Sequence, residues 1–129
     1  MRVNFKSKEE ISLLKESEGE ILFLESGSEY QVMGFYQRKG ESYFILEVHN
    51  YYPISYNAAF FEIIDSRVSQ HWVLSIDYGS GDLSLMFEDW IKIPNFMNFF
   101  LDGDIDEDEK FFELREYIYY KRLIDEEFG

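Results

Sequence analysis

Six carboxylates fall within the eight residues Asp102-Gly103-Asp104-Ile105-Asp106-Glu107-Asp108-Glu109, the densest charge in this 129-residue chain. Three kinds of chemistry suit such a run. Acids ahead of a helix oppose the positive end of its macrodipole, at about 0.3–1 kcal/mol each, so capping accounts for some of them. Asp102, Asp104 and Asp106 also occupy positions 1, 3 and 5 of a twelve-residue calcium loop that would close at Glu113. Position 6, where the sharp turn needs glycine, is Glu107, and position 9 is the cation Lys110, so the spacing argues against calcium. The third reading is an anionic patch that meets a cationic protein partner.

Other reactive groupings are thin. His49 and His71 stand apart, outside any H-E-x-x-H or other metal spacing, which favours structural or surface roles over catalysis. Gly79-Ser80-Gly81 lacks both the lysine of a phosphate loop and the G-x-S-x-G order of a nucleophile elbow, and reads as a hairpin turn. With 26 acids in the chain, adjacent pairs such as Glu88-Asp89 arise by chance, although paired carboxylates could in principle hydrolyse a glycoside. Cysteine is absent, which removes disulfides, thiolate nucleophiles and cysteine-ligated zinc and fits a reducing compartment. No cofactor, no metal and no catalysis are expected.

Twenty-six acids against twelve bases leave a net charge of −14, which repels phosphate backbones and anionic lipid. Direct nucleic-acid or membrane binding is therefore not expected, and the polar N-terminus with no long apolar stretch points to the cytoplasm. Aromatics reach 19%, including ten tyrosines, more hydroxyls than a core readily satisfies. Tyr51, Tyr52, Tyr56, Tyr117, Tyr119 and Tyr120 include candidates for exposed anchors with a charged rim.

The elements that must position these groups are legible as pattern. One domain spanning residues 1–129 is expected, of α+β class: a mainly antiparallel sheet of about five to seven strands, a short N-terminal helix and a long C-terminal helix. Strand candidates are residues 2–5, 21–24, 30–37, 43–48, 59–64, 71–77 and 83–87, most arranged as a meander, with a further extended piece at 91–93 stopped by Pro94. Ser7-Lys8-Glu9-Glu10 forms a capping box for a helix of about two turns that ends near Gly19. Residues 106–124 carry helix formers without Gly or Pro. Phe111, Leu114 and Ile118 form one apolar stripe on that helix and Phe112, Tyr119 and Leu123 a second, with Arg115 and Arg122 between them expected to pair internally with carboxylates.

The chain resembles the immunity proteins of bacterial polymorphic-toxin and contact-dependent growth-inhibition systems. The resemblance spans its whole length and rests on small size, acidity, aromatic content and the lack of cysteine. It rests also on an expected strand pair joining Phe60-Phe61-Glu62-Ile63-Ile64-Asp65-Ser66-Arg67 to Trp72, and on the acidic stretch that opens a terminal helix. It implies a cytoplasmic inhibitor that binds a cognate protein toxin with a basic surface, often a nuclease, and occludes its active site. From the residues themselves, the surface expected to meet that partner comprises Asp102, Asp104, Asp106, Glu107, Asp108 and Glu109 with Tyr117 and Tyr120. A regulatory interaction module without a toxin, and a small carboxylate-dependent hydrolase, are the alternatives.

Overall fold

The computed structural model describes residues 1–6, 24–47, 54–92 and 107–129, the last stretch with its side chains from residue 118 onward. The described residues form seven strands: β1 (Arg2–Phe5), β2 (Glu29–Arg38), β3 (Glu41–Leu46), β4 (Ile54–Asn57), β5 (Phe61–Asp65), β6 (Trp72–Ile76) and β7 (Leu83–Phe87). Two helices follow, α1 (Glu88–Lys92) and α2 (Glu107–Phe128). All strand pairings are antiparallel, so the mainly antiparallel α+β reading holds.

β2 organises the sheet because its ten residues outrun every other strand. One edge pairs with β3 from Val32↔Leu46 to Arg38↔Glu41. The other edge is divided, its first part taken by β1 (Arg2↔Gln31 to Asn4↔Glu29) and its last part by β7 (Phe35↔Leu85 to Gln37↔Leu83). From that division the sheet branches into a β1–β5 wing and a β7–β6 wing, while β3 and β4 extend the opposite side. The β2–β3 register shifts between Val32 and Gly34, making Met33 the extra residue of a bulge. A bulge adds local twist, which turns the free edge of β2 from one partner toward the other.

Gly34 is required there for space. A Cβ at this position would lie 3.1 Å from the Met86 Cβ and 3.3 Å from the Ile45 Cδ1, tighter than side chains normally approach. At the far end of β2 the chain reverses through Lys39 and Gly40, both at positive φ (52° and 79°), the requirement of a type I′ hairpin turn. Lys39 N donates to Asp82 Oδ1 at 3.1 Å, which ties this turn to the tip of the β6–β7 hairpin.

The core is aromatic. Phe61 of β5 lies 5.7 Å from Phe5, 6.1 Å from Phe44 and 6.1 Å from Tyr56 between ring centroids, so one ring joins β1, β3, β4 and β5. Tyr36 is fully buried, stacks on Tyr43 at 5.0 Å and shares a hydrogen bond with Ser55 Oγ. Burial pushes its hydroxyl up to about 12, and burial raises Tyr56 further still.

Several expectations are corrected. The strand pair joining residues 60–67 to Trp72 does not form, because β5 pairs with β1 and β6 with β7. Residues 58–60 make a 3₁₀ turn instead of opening a strand, capped by Asn57 Oδ1, which accepts from Ala59 N at 2.9 Å. Residues 54–57, not among the strand candidates, form β4. Ile91 and Lys92 end α1 and are not extended, since Glu88 and Lys92 pair at 3.1 Å across one turn and Trp90 buries beneath it. Leu24 is buried outside any strand, and the N-terminal helix expected after Ser7 falls outside the described residues, as do residues 21–23.

Gly34→Ala should cost about 1–3 kcal/mol through overpacking, measured as a lower denaturant midpoint. Stability should also fall with pH above the ordinary tyrosine value of 10.0. There the unfolded chain has released protons that native Tyr36 holds until about 12, so the unfolded state binds fewer protons. Denaturant titrations across that window should show a loss approaching ~1.4 kcal/mol per pH unit for each such tyrosine, less steep in Tyr36→Phe.

Candidate protein-binding surface

The C-terminal half of α2 is fixed to the sheet at four places. Tyr120 is 5% exposed and contacts Phe87 (4.5 Å) and Trp90 (5.3 Å), while its hydroxyl donates to Asp89 Oδ2 at 2.7 Å. Lys121 Nζ pairs with Glu47 Oε1 at 2.6 Å just beyond β3. One turn on, Ile124 is fully buried. Near the end, Glu127 accepts from Ser69 Oγ and from Gln70 N (2.6 Å), which satisfies the buried Ser69 hydroxyl in the β5–β6 connection.

Arg67 completes that last anchor. Its guanidinium lies 5.1 Å from the Phe128 ring centroid and donates to both carboxylate oxygens of Asp65. Those hydrogen bonds hold the Asp65 carboxyl well below the usual carboxylate range. A shallow depression here is lined by Arg2, Gln31, Asp65, Arg67, Ile124 and Phe128. Both of its arginines are engaged within the protein, Arg2 with Glu29 at 3.4 Å and Arg67 with Asp65, as in a structural joint.

The residues expected at the partner surface separate into three groups. Glu107, Asp108 and Glu109 form the first turn of α2, where the macrodipole favours them. Asp102, Asp104 and Asp106 fall outside the described residues, and Tyr117 lies in α2 ahead of the stretch whose side chains are described. Tyr120 is corrected: it is buried and bound to Asp89, so in this conformation it is a core ring and not an exposed anchor. The neighbouring Ile118 and Tyr119, placed on buried stripes by the periodicity, are each 58% exposed. The helix faces the core with Tyr120 and Ile124, a pair four residues apart, and not with the 118 and 119 positions. Arg122 is exposed on the outer side.

The other candidates resolve structurally. His71 precedes β6, its backbone N–H donating to Ser69 Oγ at 3.1 Å, and His49 falls outside the described residues. The Glu88-Asp89 pair is divided between two partners, Lys92 and Tyr120. Among the described residues no group of three or more His, Cys, Asp or Glu side chains is placed to hold a metal, and no helix is long and apolar enough to cross a membrane.

Sequence reasoning passed over the exposed apolar groups of the two wings. Ile63 and Ile64 on β5 are 53% and 48% exposed, and β6 presents Val73, Leu74 and Ile76 to solvent. Their signal was adjacent apolar residues, Ile63-Ile64 and Val73-Leu74, where a half-buried strand would alternate, a pattern that a strand buried on both faces would share. The chain matches no family model, no curated protein and no solved structure.

Tyr120→Ala should cost about 3–5 kcal/mol, because it empties an aromatic cluster and releases α2. Tyr119→Ala should change stability by no more than about 0.5 kcal/mol. Chemical denaturation of the two variants side by side reads the difference.

Proposed function

We propose that this protein is a non-catalytic inhibitor of the immunity-protein kind, which binds a cognate toxin with a basic surface and occludes its active site. A nuclease is the class that fits best, since it holds phosphates in a cationic cleft that an anionic protein can occupy. The observation that carries the reading is the acid-rich opening of a helix whose other half is bolted to the sheet. Thirteen residues separate Glu107 from the Tyr120 anchor, so the first-turn acids stand about 20 Å along the helix axis from that anchor. Between residues 101 and 129 eleven acids stand against four bases, a net −7 that is half the charge of the whole chain. A concentrated field of this kind steers encounter with a cationic partner, and exposed apolar contacts then slow dissociation.

The test looks for a basic toxin domain encoded in the neighbouring open reading frames, and takes stopped-flow association with it and protection of cells producing it as readouts. Association should slow steeply between about 0.1 M and about 1 M salt, as the Debye length falls from about 10 Å to about 3 Å. Reversing Asp104, Asp106 and Asp108 to Lys should leave circular dichroism unchanged, slow association on the order of tenfold or more and weaken protection. Unchanged kinetics and full protection in the triple variant would assign these acids to helix capping alone. Failure of the unaltered protein to bind or protect would overturn the inhibitor reading.

A further inference from the structure

The exposed apolar side chains differ in the charge that surrounds them. β6, with Val73, Leu74 and Ile76, holds no charged residue, and on β5 Ile63 and Ile64 lie between Glu62 and an Asp65 that is paired with Arg67. Tyr78 belongs to a turn that Asp82 ties to Lys39. Ile118 and Tyr119, each 58% exposed, are the exception, because they share α2 with the acids that open it.

Helix geometry aligns the two sets. Eleven residues turn through about 1,100°, ~20° more than three full turns, so position 107 lies on the same side of α2 as position 118, and position 108 on the same side as position 119. Each pair is separated by about 16 Å along the axis. Position 109 stands in the same relation to position 120, which faces the core. The positions of Glu107 and Asp108 and those of the exposed pair therefore form two parallel rows clear of the seated side of the helix. Toward the C-terminus, Ile118 borders a shallow depression lined by Lys121, Arg122, Asp125 and Glu126. Lys121 is bound to Glu47, and Arg122 has the two acids three and four residues on, so the charge around it is net negative.

We propose that Ile118 and Tyr119 are the apolar anchor of the surface that meets the basic partner, with Glu107 and Asp108 as acids of its rim. The inference rests on the inhibitor reading and names the contacts that slow dissociation. An aromatic and an aliphatic side chain bordered by charge have the anatomy of a protein interface. The helix beneath them is already fixed by Tyr120, Ile124 and Glu127, so little beyond two side chains is ordered on binding. Charge selects the occupant. A folded protein with a cationic surface meets the acids with its bases, and its lysines and arginines also gain from the face of the Tyr119 ring.

The probe is the basic toxin domain of the preceding test, with dissociation followed after dilution. Ile118→Ala combined with Tyr119→Ala should raise the dissociation rate on the order of tenfold or more, leave association within about twofold, and leave circular dichroism and the denaturant midpoint little changed. Leu74→Ala on β6 should dissociate as the unaltered protein does. Hydroxyl-radical footprinting of the unaltered protein needs no variant: binding should protect Tyr119 and leave Tyr78 as reactive as before. Unchanged dissociation in the folded double variant, or a Tyr119 as reactive in the complex as alone, would overturn this inference and leave the inhibitor reading standing. Neighbouring frames without a basic toxin domain, or a domain that the unaltered protein does not bind, would overturn both.

Discussion

The structure depends on one strand having to serve three partners. β2 meets β3 along one edge and must divide the other between β1 and β7, so it has to be long, and it has to twist between the two. The bulge at Met33 supplies the twist, and Gly34 supplies the clearance that lets Met86 and Ile45 close over it. Val32, Met33 and Tyr36, all fully buried, then point into a core that both wings of the sheet share. Because the wings converge on β2, aromatic rings from distant parts of the chain reach one another, with Phe61 at the meeting point of four strands.

The same branching creates the seat of α2. Its anchors come from separate parts of the sheet: Phe87 and Trp90 from the β7–α1 side, Glu47 from the end of β3, and Ser69 and Gln70 from the β5–β6 connection. A helix held at points this far apart cannot slide along its axis without breaking several of them. The anchors differ in kind. Tyr120 and Ile124 contribute buried apolar area, whereas Lys121 and Glu127 contribute hydrogen-bonded charge that fixes rotation and register.

Charge and apolar surface follow from this architecture in different ways. The acids of the first turn of α2 are favoured locally by the helix dipole, so their number, more than their presence, suggests a partner. The apolar groups on β6 have no such local reason. They stand on a strand that pairs with β7 alone among the described residues.

What the sequence determined by itself is whatever depends on neighbours within a few residues. Strand periodicity located most of the sheet, Lys39-Gly40 and Gly79-Ser80-Gly81 marked two reversals, and helix formers without Gly or Pro marked α2. Charge was also legible, because it is a sum over residues and needs no fold. Tertiary structure decided the rest. The partner of β5 is β1, nearly sixty residues earlier, and no local pattern encodes a pairing at that distance. The orientation of α2 was equally hidden. Periodicity fixes angles between side chains but not which side the core occupies, and on a helix rich in aromatics several faces look apolar. Asp89, Phe87 and Trp90 made the choice, drawing Tyr120 inward and leaving Ile118 and Tyr119 in solvent.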